Sequence, residues 1–238
     1  MLTRLPALER GAKVWAIADS HLSFERPDRD MTRFGDEWIN HAEQLRSACS
    51  SNISERDVLL IAGDLSWARK RSEVGKDLEF LASLPGTKIV IRGNHDHWWR
   101  AKQPIDFPGL LEPPIIFGEN EIAVVGTRGW QTQRLPSPDH DAKMLAREHS
   151  LLCKQLNLVT DCAFKIVMTH YPAQPFVSTL REHQVDSVVF GHVHLRSLPE
   201  DEIFAVENAL VDGVRMRCVA GDRLSFVPAL IYPASDTV

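Results

Sequence analysis

Five short runs of β-branched and aliphatic residues recur along the chain, and each of them stops abruptly at a polar turn. Continuous apolar runs this short are typical of strands that are buried on both faces. Between several of the runs, apolar residues repeat with helical spacing, and strands that alternate with helices are typical of a layered α/β protein. The five runs are 13–18, 57–62, 88–92, 164–168 and 186–190.

The same patterns predict three helices and four further strands. We expect helices over 33–49, 73–84 and 139–158, where apolar residues recur on one helical face. Further strands are expected over 121–125, 203–206, 214–219 and 224–227. The late strands have no helix between them, which favours a hairpin or a second sheet. Several prolines predict an irregular stretch over 104–117.

The composition is that of a globular protein, because 44% of the 238 residues are hydrophobic, 25% are charged and the net charge is −5. It excludes general disorder, and no apolar run approaches the roughly 18 residues that a membrane-spanning helix needs. We expect one domain over residues 1–238, since no linker-like segment divides the chain. The mild acidity gives no electrostatic reason for tight binding of nucleic acid, which disfavours that partner.

The four cysteines lie far apart and include no CxxC pair. This spacing argues against a thiolate zinc site and a disulfide framework, and it favours reduced thiols in the cytosol. Charged residues interrupt any apolar segment within residues 1–13, so no signal peptide is predicted. We therefore expect a cytoplasmic protein.

The turns that end the five runs carry most of the chemically informative residues. In α/β sheets, ligands bind beyond the carboxyl ends of the strands, so these turns are expected to converge on one crevice. Glycine precedes several of the polar residues and allows the backbone to bend sharply there. The turn residues are Asp19 and His21; Gly63 and Asp64; Gly93, Asn94, His95 and Asp96; His170; and Gly191, His192 and His194.

These side chains offer oxygen and nitrogen donors and no sulfur, a mixture that suits Mn, Fe or Zn. Two ligands separated by one residue share a face while the chain is extended, as in Asp19-x-His21 and His192-x-His194. A bridging carboxylate would hold two ions about 3.5–4 Å apart, the spacing used for in-line displacement at phosphorus. Taken singly, His170 or the pair of His192 and His194 is more often structural. Only the joint pattern indicates a binuclear metal site.

The order Asp-x-His, Gly-Asp, Gly-Asn-His-Asp, a lone histidine and Gly-His-x-His resembles that of the calcineurin-like metallophosphoesterases. The matched motifs run from Asp19 to His194, and the chain is similar to the small single-domain bacterial members of that superfamily. The resemblance implies a four-layer α/β/β/α sandwich, in which two mixed β-sheets pack face to face and are flanked by helices. It also implies a dinuclear metal centre at one sheet edge and metal-dependent hydrolysis of phosphate esters.

The resemblance further implies a role for each motif residue. His95 would lie over the phosphate and protonate the leaving oxygen, with Asp96 orienting it. A hydroxide between the two divalent ions would be the nucleophile, because metal binding lowers the pKa of water from 15.7 to about 7. The first metal would be held by Asp19, His21, Asp64 and His194, and the second by Asp64 as bridge, Asn94, His170 and His192.

Two interpretations concern residues beside the motifs. Arg128 is a candidate substrate-binding residue, because a guanidinium group suits bidentate recognition of phosphate. Trp98 and Trp99 follow the third turn directly, and we interpret them as packing residues rather than as a platform for a base.

We expect a small phosphate-ester substrate, with phosphodiesters slightly favoured over monoesters. A protein phosphatase is disfavoured, because GDLSWAR and GNHD depart from the GDxVDRG and GNHE patterns of that group. The alternatives are a phosphomonoesterase of small metabolites, a nuclease and a non-catalytic metal-binding scaffold. A nuclease would bind DNA with an affinity that falls with salt. A scaffold would have lost ligands or the catalytic histidine, and this chain retains all of them.

Overall fold

Strands and helices alternate along most of the chain. The computed structural model describes residues 2–100, 103–130, 138–196 and 209–233. The helices are α1 (His41–Asn52), α2 (Gly75–Ser83), α3 (Pro138–Leu156) and α4 (Val177–Glu182). The strands are β1 (Thr3–Leu5), β2 (Val14–Ile17), β3 (Val58–Ala62), β4 (Thr87–Ile91), β5 (Leu110–Leu111), β6 (Ile115–Phe117), β7 (Ile122–Thr127), β8 (Phe164–Thr169), β9 (Ser187–Phe190), β10 (Ala209–Val211), β11 (Val214–Cys218) and β12 (Ala229–Tyr232).

The strands form two mixed sheets. Within the described residues, one sheet has the order β1-β6-β7-β8-β9-β11-β10 and the other has the order β12-β2-β3-β4-β5. The central strands are parallel in each sheet: β2, β3 and β4 in the smaller one, and β7, β8 and β9 in the larger one. Antiparallel neighbours are β12 beside β2, β6 beside β7 and β10 beside β11. Because the central strands are parallel, their carboxyl ends meet at one edge of each sheet.

Alternate residues of each central strand face opposite layers, and this alternation builds a four-layer sandwich. In β3, Val58 and Leu60 belong to the apolar cluster between the two sheets, whereas Leu59 and Ile61 pack in the layer that contains α1 and α2. In the larger sheet, Val125 of β7 faces the layer that contains α3 and α4. The order helix, sheet, sheet, helix confirms the predicted α/β fold class.

The segment predicted as one helix over 33–49 is instead two short 3-10 turns followed by a helix. The turns are Met31–Phe34 and Asp36–Trp38, and α1 begins only at His41. Gly35 has a φ of 151° and Asn40 has a φ of 53°, so a right-handed helix cannot continue through either residue. The other two predicted helices are confirmed: α2 is shorter at both ends, and α3 begins one residue earlier and ends two residues earlier than predicted.

The strands predicted over 13–18, 57–62, 88–92, 121–125, 164–168, 186–190 and 214–219 are confirmed as β2, β3, β4, β7, β8, β9 and β11. The strand predicted over 224–227 is wrong, because Ser225 and Phe226 have φ values of 48° and 57° and form a turn before β12. The stretch 104–117 is more regular than predicted, since β5 pairs with β4 and β6 pairs with β1. The predicted strand 203–206 lies outside the described residues.

Candidate metal centre

Hydrogen bonds join the turns that follow β2, β3 and β9. The N–H of Asp19 donates to the carbonyl of Gly63 over 2.9 Å, and the N–H of His21 donates to the carbonyl of Asp64, also over 2.9 Å. The N–H of His192, after β9, donates to Oδ2 of Asp19 over 3.0 Å. Since β2 and β9 belong to different sheets, this last bond brings the carboxyl ends of the two sheets to one place.

Four of the predicted metal ligands have a left-handed backbone. The φ values are 58° at Asp19, 40° at His21, 52° at Asp64 and 67° at His192. Residues with a Cβ rarely adopt this conformation, and they persist in it only where the surrounding structure holds them. Backbone strain of this kind concentrates at functional sites. Four such residues at one edge of the sandwich therefore support a functional centre there.

Two glycines allow the turns to approach one another closely. A Cβ at Gly93 would overlap Oδ1 and the backbone nitrogen of Asp64, and a Cβ at Gly191 would overlap Oδ2 of Asp19. Both positions lie in the predicted motifs directly before ligand-capable residues. The absence of a side chain is thus what lets the two buried carboxylates sit against the neighbouring turns.

A first group of donor atoms comes from Asp19, His21 and His194. Nε2 of His21 lies 3.4 Å from Nε2 of His194, and each of these nitrogens lies 3.8 Å from Oδ1 of Asp19. The three side chains offer ligand atoms within 4.8 Å of one another. This spacing allows the three atoms to hold one metal ion.

A second group surrounds Asp64. Oδ2 of Asp64 lies 3.3 Å from Nε2 of His170 and 3.6 Å from Nε2 of His21, so this carboxylate stands between the two groups. Oδ1 of Asn94 lies 2.7 Å from Nε2 of His170 and 2.9 Å from Nδ1 of His192. The structure therefore brings all seven predicted ligands together, with the Asp64 carboxylate between the two groups.

Two buried carboxylate oxygens of this centre lack the hydrogen bonds that a metal-free protein would need to stabilise them. Oδ1 of Asp19 and Oδ2 of Asp64 are buried and accept no well-aligned hydrogen bond from any described residue. Both residues are completely inaccessible to solvent. A buried carboxylate oxygen without a donor is strongly destabilising unless a cation compensates it. The donor set, with carboxylate, amide and imidazole groups, is the one that divalent transition metals take.

The titratable groups of the centre lie close enough to shift one another's pKa values. Burial raises the pKa of the Asp19 carboxyl to about 6. Burial acts in the same direction on Asp64, but the nearby His170 outweighs it and holds the pKa of Asp64 well below its usual range. Against the effect of burial, the Asp64 carboxylate raises the pKa of His170 to about 9. Burial, with the charge of His170, lowers the pKa of His192 to about 3. The buried carboxyl and imidazole groups of the centre therefore hold few protons between them. Divalent cations would supply the positive charge that these groups need.

Partners behind the histidines decide which ring nitrogen faces the centre. Nδ1 of His194 lies 3.2 Å from Oδ1 of Asp222, whose other oxygen accepts the N–H of Leu195 over 2.9 Å. Nδ1 of His170 lies 3.1 Å from the carbonyl oxygen of Ala62. In both residues Nε2 is left to face the carboxylates. Asp222 is not among the residues predicted from the sequence, because it belongs to no motif and no signal in the chain marks it.

His95 lies beside the centre without joining either donor group. Its backbone N–H donates to Oδ1 of Asp64 over 2.8 Å. Its imidazole lies 4.4 Å from the ring of Trp67 and 5.6 Å from the ring of His21, measured between ring centroids. Burial lowers the pKa of His95. The side chain is therefore placed next to the ligands, in a partly buried position.

Asp96 acts on the turns around His95 through their backbone. Its Oδ1 accepts the N–H groups of Leu65 and Ser66 over 2.9 and 3.1 Å and the indole N–H of Trp98 over 3.2 Å. Its Oδ2 accepts the N–H of Gly93 over 2.8 Å. These bonds hold the turn after β3 against the turn after β4. They reach the His95 imidazole only through the backbone that carries it.

Arg128 lies at the side of the centre. Its carbonyl accepts the N–H groups of His170 and Tyr171, both over 3.0 Å, and its guanidinium lies 4.9 Å from the ring of Trp130. The side chain lines a cavity that contains none of the seven ligands. Trp98 and Trp99 are 4% and 3% exposed and pack in the apolar core of the smaller sheet, which confirms their interpretation as packing residues.

A separate cavity of about 530 Å³ opens onto the centre. His21, His95 and His194 form one wall, so the cavity reaches both the first donor group and the residue beside it. The rest of the wall of this aromatic cavity is half aromatic or apolar and half charged. It consists of Met31, Arg33, Phe34, Glu37, Trp38, Trp67, Arg196 and Asp222.

Comparison with known proteins agrees with this geometry. Residues 12–196 match the model of the calcineurin-like phosphoesterases, and this span is more than half of the chain. The chain therefore belongs to the calcineurin-like phosphoesterase family, whose members hydrolyse phosphate esters with divalent metal ions. No curated protein has a significant match to the chain.

Two solved structures are similar to this one. The phosphopantetheinyl hydrolase PptH from Mycobacterium tuberculosis is 16% identical, with a TM-score of 0.61 over 95% of this chain and 98% of that chain. The protein of unknown function AQ665 from Aquifex aeolicus is 14% identical, with a TM-score of 0.47 over 92% and 96%. At 16% identity, the likeness to PptH shows a shared fold. In the described part of the chain, no helix combines the length and apolar character needed to cross a bilayer.

Proposed function

We propose that the protein is a phosphoesterase that uses two divalent metal ions at this centre and prefers small phosphodiesters to monoesters. Membership of the family establishes metal-dependent hydrolysis of phosphate esters. The proposal adds the number of ions, the roles of the residues and the diester preference. One observation carries it: Oδ1 of Asp19 and Oδ2 of Asp64 are buried, accept no well-aligned hydrogen bond from the described residues, and are surrounded by histidine nitrogens from both sheets.

The ligands divide into two sets on either side of Asp64. Asp19, His21 and His194 would hold one ion, Asn94, His170 and His192 would hold the other, and Asp64 would contact both. Bound there, divalent ions such as Mn, Fe or Zn lower the pKa of water to about 7 and so supply a hydroxide nucleophile at neutral pH. The chain itself holds the donors in place through strained turns and through Asp222.

His95 is the proposed general acid. It lines the same cavity as His21 and His194, so a phosphate at the centre would have its leaving oxygen on the side of this imidazole. The role of His95 is to hold a proton there and to deliver it to the leaving oxygen. Asp96 is a positioning residue, since its hydrogen bonds fix the turn that carries His95.

The shape of the aromatic cavity supports a diester. A diester carries a second ester group, which needs room and an uncharged surface next to the phosphorus. The cavity of about 530 Å³ offers the room, and Phe34, Trp38 and Trp67 supply an uncharged part of its partly charged wall. Phe34 is 47% exposed and so remains available to a bound group.

The experiment is a comparison of rates on protein stripped with a chelator and restored with Mn²⁺. Bis-p-nitrophenyl phosphate is expected to be hydrolysed faster than p-nitrophenyl phosphate, and Asp64→Asn should abolish both activities. A monoester preference would contradict the diester proposal alone. Absence of both activities in fully metallated protein would contradict the proposed function and favour a non-catalytic scaffold. A phosphopantetheinyl ester belongs in the same panel, since the similar structure is named for that group.

Two further proposals concern the number of domains and the cellular compartment of the chain. We propose that residues 1–238 act as one domain, because the centre takes ligands from both sheets and the sheets share one apolar interior. We also propose the cytoplasm as its compartment. All four cysteines are unpaired, which is typical of a reducing environment.

A further inference from the structure

A second cavity, of about 480 Å³, lies beyond the carboxyl ends of β4 and β7 and beside α3. Four of its lining residues are cations and two are carboxylates. The helix contributes residues that recur every three or four positions, so one face of α3 forms a wall of the cavity. The charged lining residues are Arg92, Arg128, Arg147, Lys154, Glu112 and Glu148.

The two carboxylates are already engaged by neutral groups. Glu148 accepts the hydroxyl of Thr127, and Glu112 accepts the backbone N–H of Ile105. None of the four cations of the cavity forms an ion pair with a described residue. The arginines found in such pairs are Arg26, Arg29, Arg46 and Arg196, which lie outside the cavity. The cavity thus carries an excess of positive charge.

One of the two inner arginines, Arg128, lacks a full set of acceptors among the described residues. Nε of Arg128 is buried and finds no hydrogen-bond acceptor among the described residues. Arg92 donates from Nη1 to the carbonyl of Trp99 over 3.2 Å. Both guanidinium groups line the same partly buried cavity, where an anion would offset their charges.

This cavity is adjacent to the second donor group of the metal centre. Arg92 precedes Gly93 and Asn94 in the chain, and the carbonyl of Arg128 accepts the N–H groups of His170 and Tyr171. The aromatic cavity lies instead on the side of His21 and His194. The two cavities therefore adjoin different donor groups of the same centre.

We propose that the cavity lined by Arg92, Arg128, Arg147 and Lys154 binds a phosphate-type anion. Guanidinium groups recognise phosphate oxygens through paired, charge-assisted hydrogen bonds. Nε of Arg128, which has no acceptor among the described residues, is available for such a bond. The anion is either a second phosphate group of the substrate or free inorganic phosphate. Binding itself does not require catalysis, whereas the first of these sources rests on the proposed function.

The test is a calorimetric titration of inorganic pyrophosphate into chelator-treated protein. Chelation excludes binding through metal ions, so the result is separate from that of the hydrolysis assay. Wild type is expected to bind, and Arg147→Glu should raise the dissociation constant at least tenfold. Lys143→Glu is the matched control, since it reverses the same charge on an exposed position of α3 outside the cavity.

Two outcomes would overturn the proposal: no binding by wild type, or equal weakening by Lys143→Glu and Arg147→Glu. A second arm identifies the source of the anion in Mn²⁺-restored protein. If the anion belongs to the substrate, Arg147→Glu raises KM about tenfold for a nucleoside diester with an extra phosphate, relative to the same diester without it. If it is free phosphate, that ratio is unchanged and the inhibition constant of inorganic phosphate rises. A variant that alters neither quantity would contradict the proposal.

Discussion

The orientation of individual imidazole rings defines the centre at the scale of the residue. Asp222 and the carbonyl of Ala62 stand behind His194 and His170, and each takes up the Nδ1 side of its histidine. Partners of this kind fix the tautomer and the direction of a metal-binding histidine. The metal affinity of the centre is therefore expected to depend on groups that are not themselves ligands.

Replacement of Asp222 by asparagine tests this dependence. We expect Asp222→Asn to weaken the binding of one Mn²⁺ ion by about 10–100-fold, the usual effect of losing a partner behind a ligating histidine. The other ion should bind as in wild type, because His170 keeps its contact with Ala62. Isothermal titration of stripped protein with Mn²⁺ measures both sites. Asp212→Asn makes the same change at an exposed position, and an equal loss in both variants would contradict this role.

His95 is expected to act on the rate and not on the metal. His95→Asn should lower kcat by about 10²–10⁴-fold, the usual contribution of a general acid. Metal content should stay at the wild-type value, since the imidazole joins neither donor group. Steady-state kinetics and elemental analysis of the same sample check both statements. His97→Asn changes the exposed neighbouring histidine and is the control. Loss of metal from the His95→Asn variant would show instead that His95 is a metal ligand.

At the scale of the element, the turns after the strands have little freedom. Gly93 is required because a Cβ would overlap Asp64, whereas nothing lies within 4 Å of the Cβ position at Gly75, at the start of α2. Gly93→Ala is therefore expected to destabilise the fold by about 1–3 kcal/mol, the usual cost of overpacking. Gly75→Ala should be neutral or slightly stabilising. Urea unfolding of both variants measures the difference, and equal stabilities would refute the close approach.

Helix α2 is attached to the turn after β3 by a buried carboxyl. Asp77 accepts the hydroxyl of Ser66 and the N–H of Phe24, the latter over 2.9 Å. Burial raises the pKa of Asp77 from 3.8 to about 6. The folded state thus holds this proton more tightly than the unfolded chain does. The resulting contribution to stability is fully present below about pH 4 and is lost as the pH rises through 6.

Asparagine at this position should remove that pH dependence. Relative to Asp77→Asn, wild type is expected to lose about 2–3 kcal/mol of unfolding free energy between pH 4 and pH 7. Urea unfolding at several pH values, in the presence of chelator, gives the two curves. The difference between them isolates Asp77 from the other titrating groups. Parallel curves would mean that Asp77 has no raised pKa in the folded protein.

At the scale of the whole molecule, the sequence predicts the central sheets well. A strand buried on both faces needs an uninterrupted apolar run, so the first polar residue marks its end. Asp19, Asp64 and His170 stand at such ends, and parallel pairing places those ends at one edge. The resemblance of the motifs to a known family then supplied the ligand set. These parts of the fold and of the centre can be predicted because each depends on a short, continuous stretch of sequence.

Features that depend on distant parts of the chain could not be predicted. Asp222 meets His194 only because the turn over 221–226 folds back beside β2, and the apolar residues of that turn suggested a strand. The late start of α1 depends on single backbone angles at Gly35 and Asn40. Likewise, Arg92 and Arg147 share a cavity only because α3, which packs against β7, lines the same space as the end of β4.

In the proposed centre, Asp64 contacts two divalent ions. The most direct measurement is the metal content per chain of Mn²⁺-loaded wild type and of Asp64→Asn, determined by elemental analysis after removal of free metal. Two ions per chain are expected in wild type and at most one in the variant, because both donor groups lose a charged ligand. A variant that retains two ions, or a wild type that never holds more than one, would contradict the proposed centre.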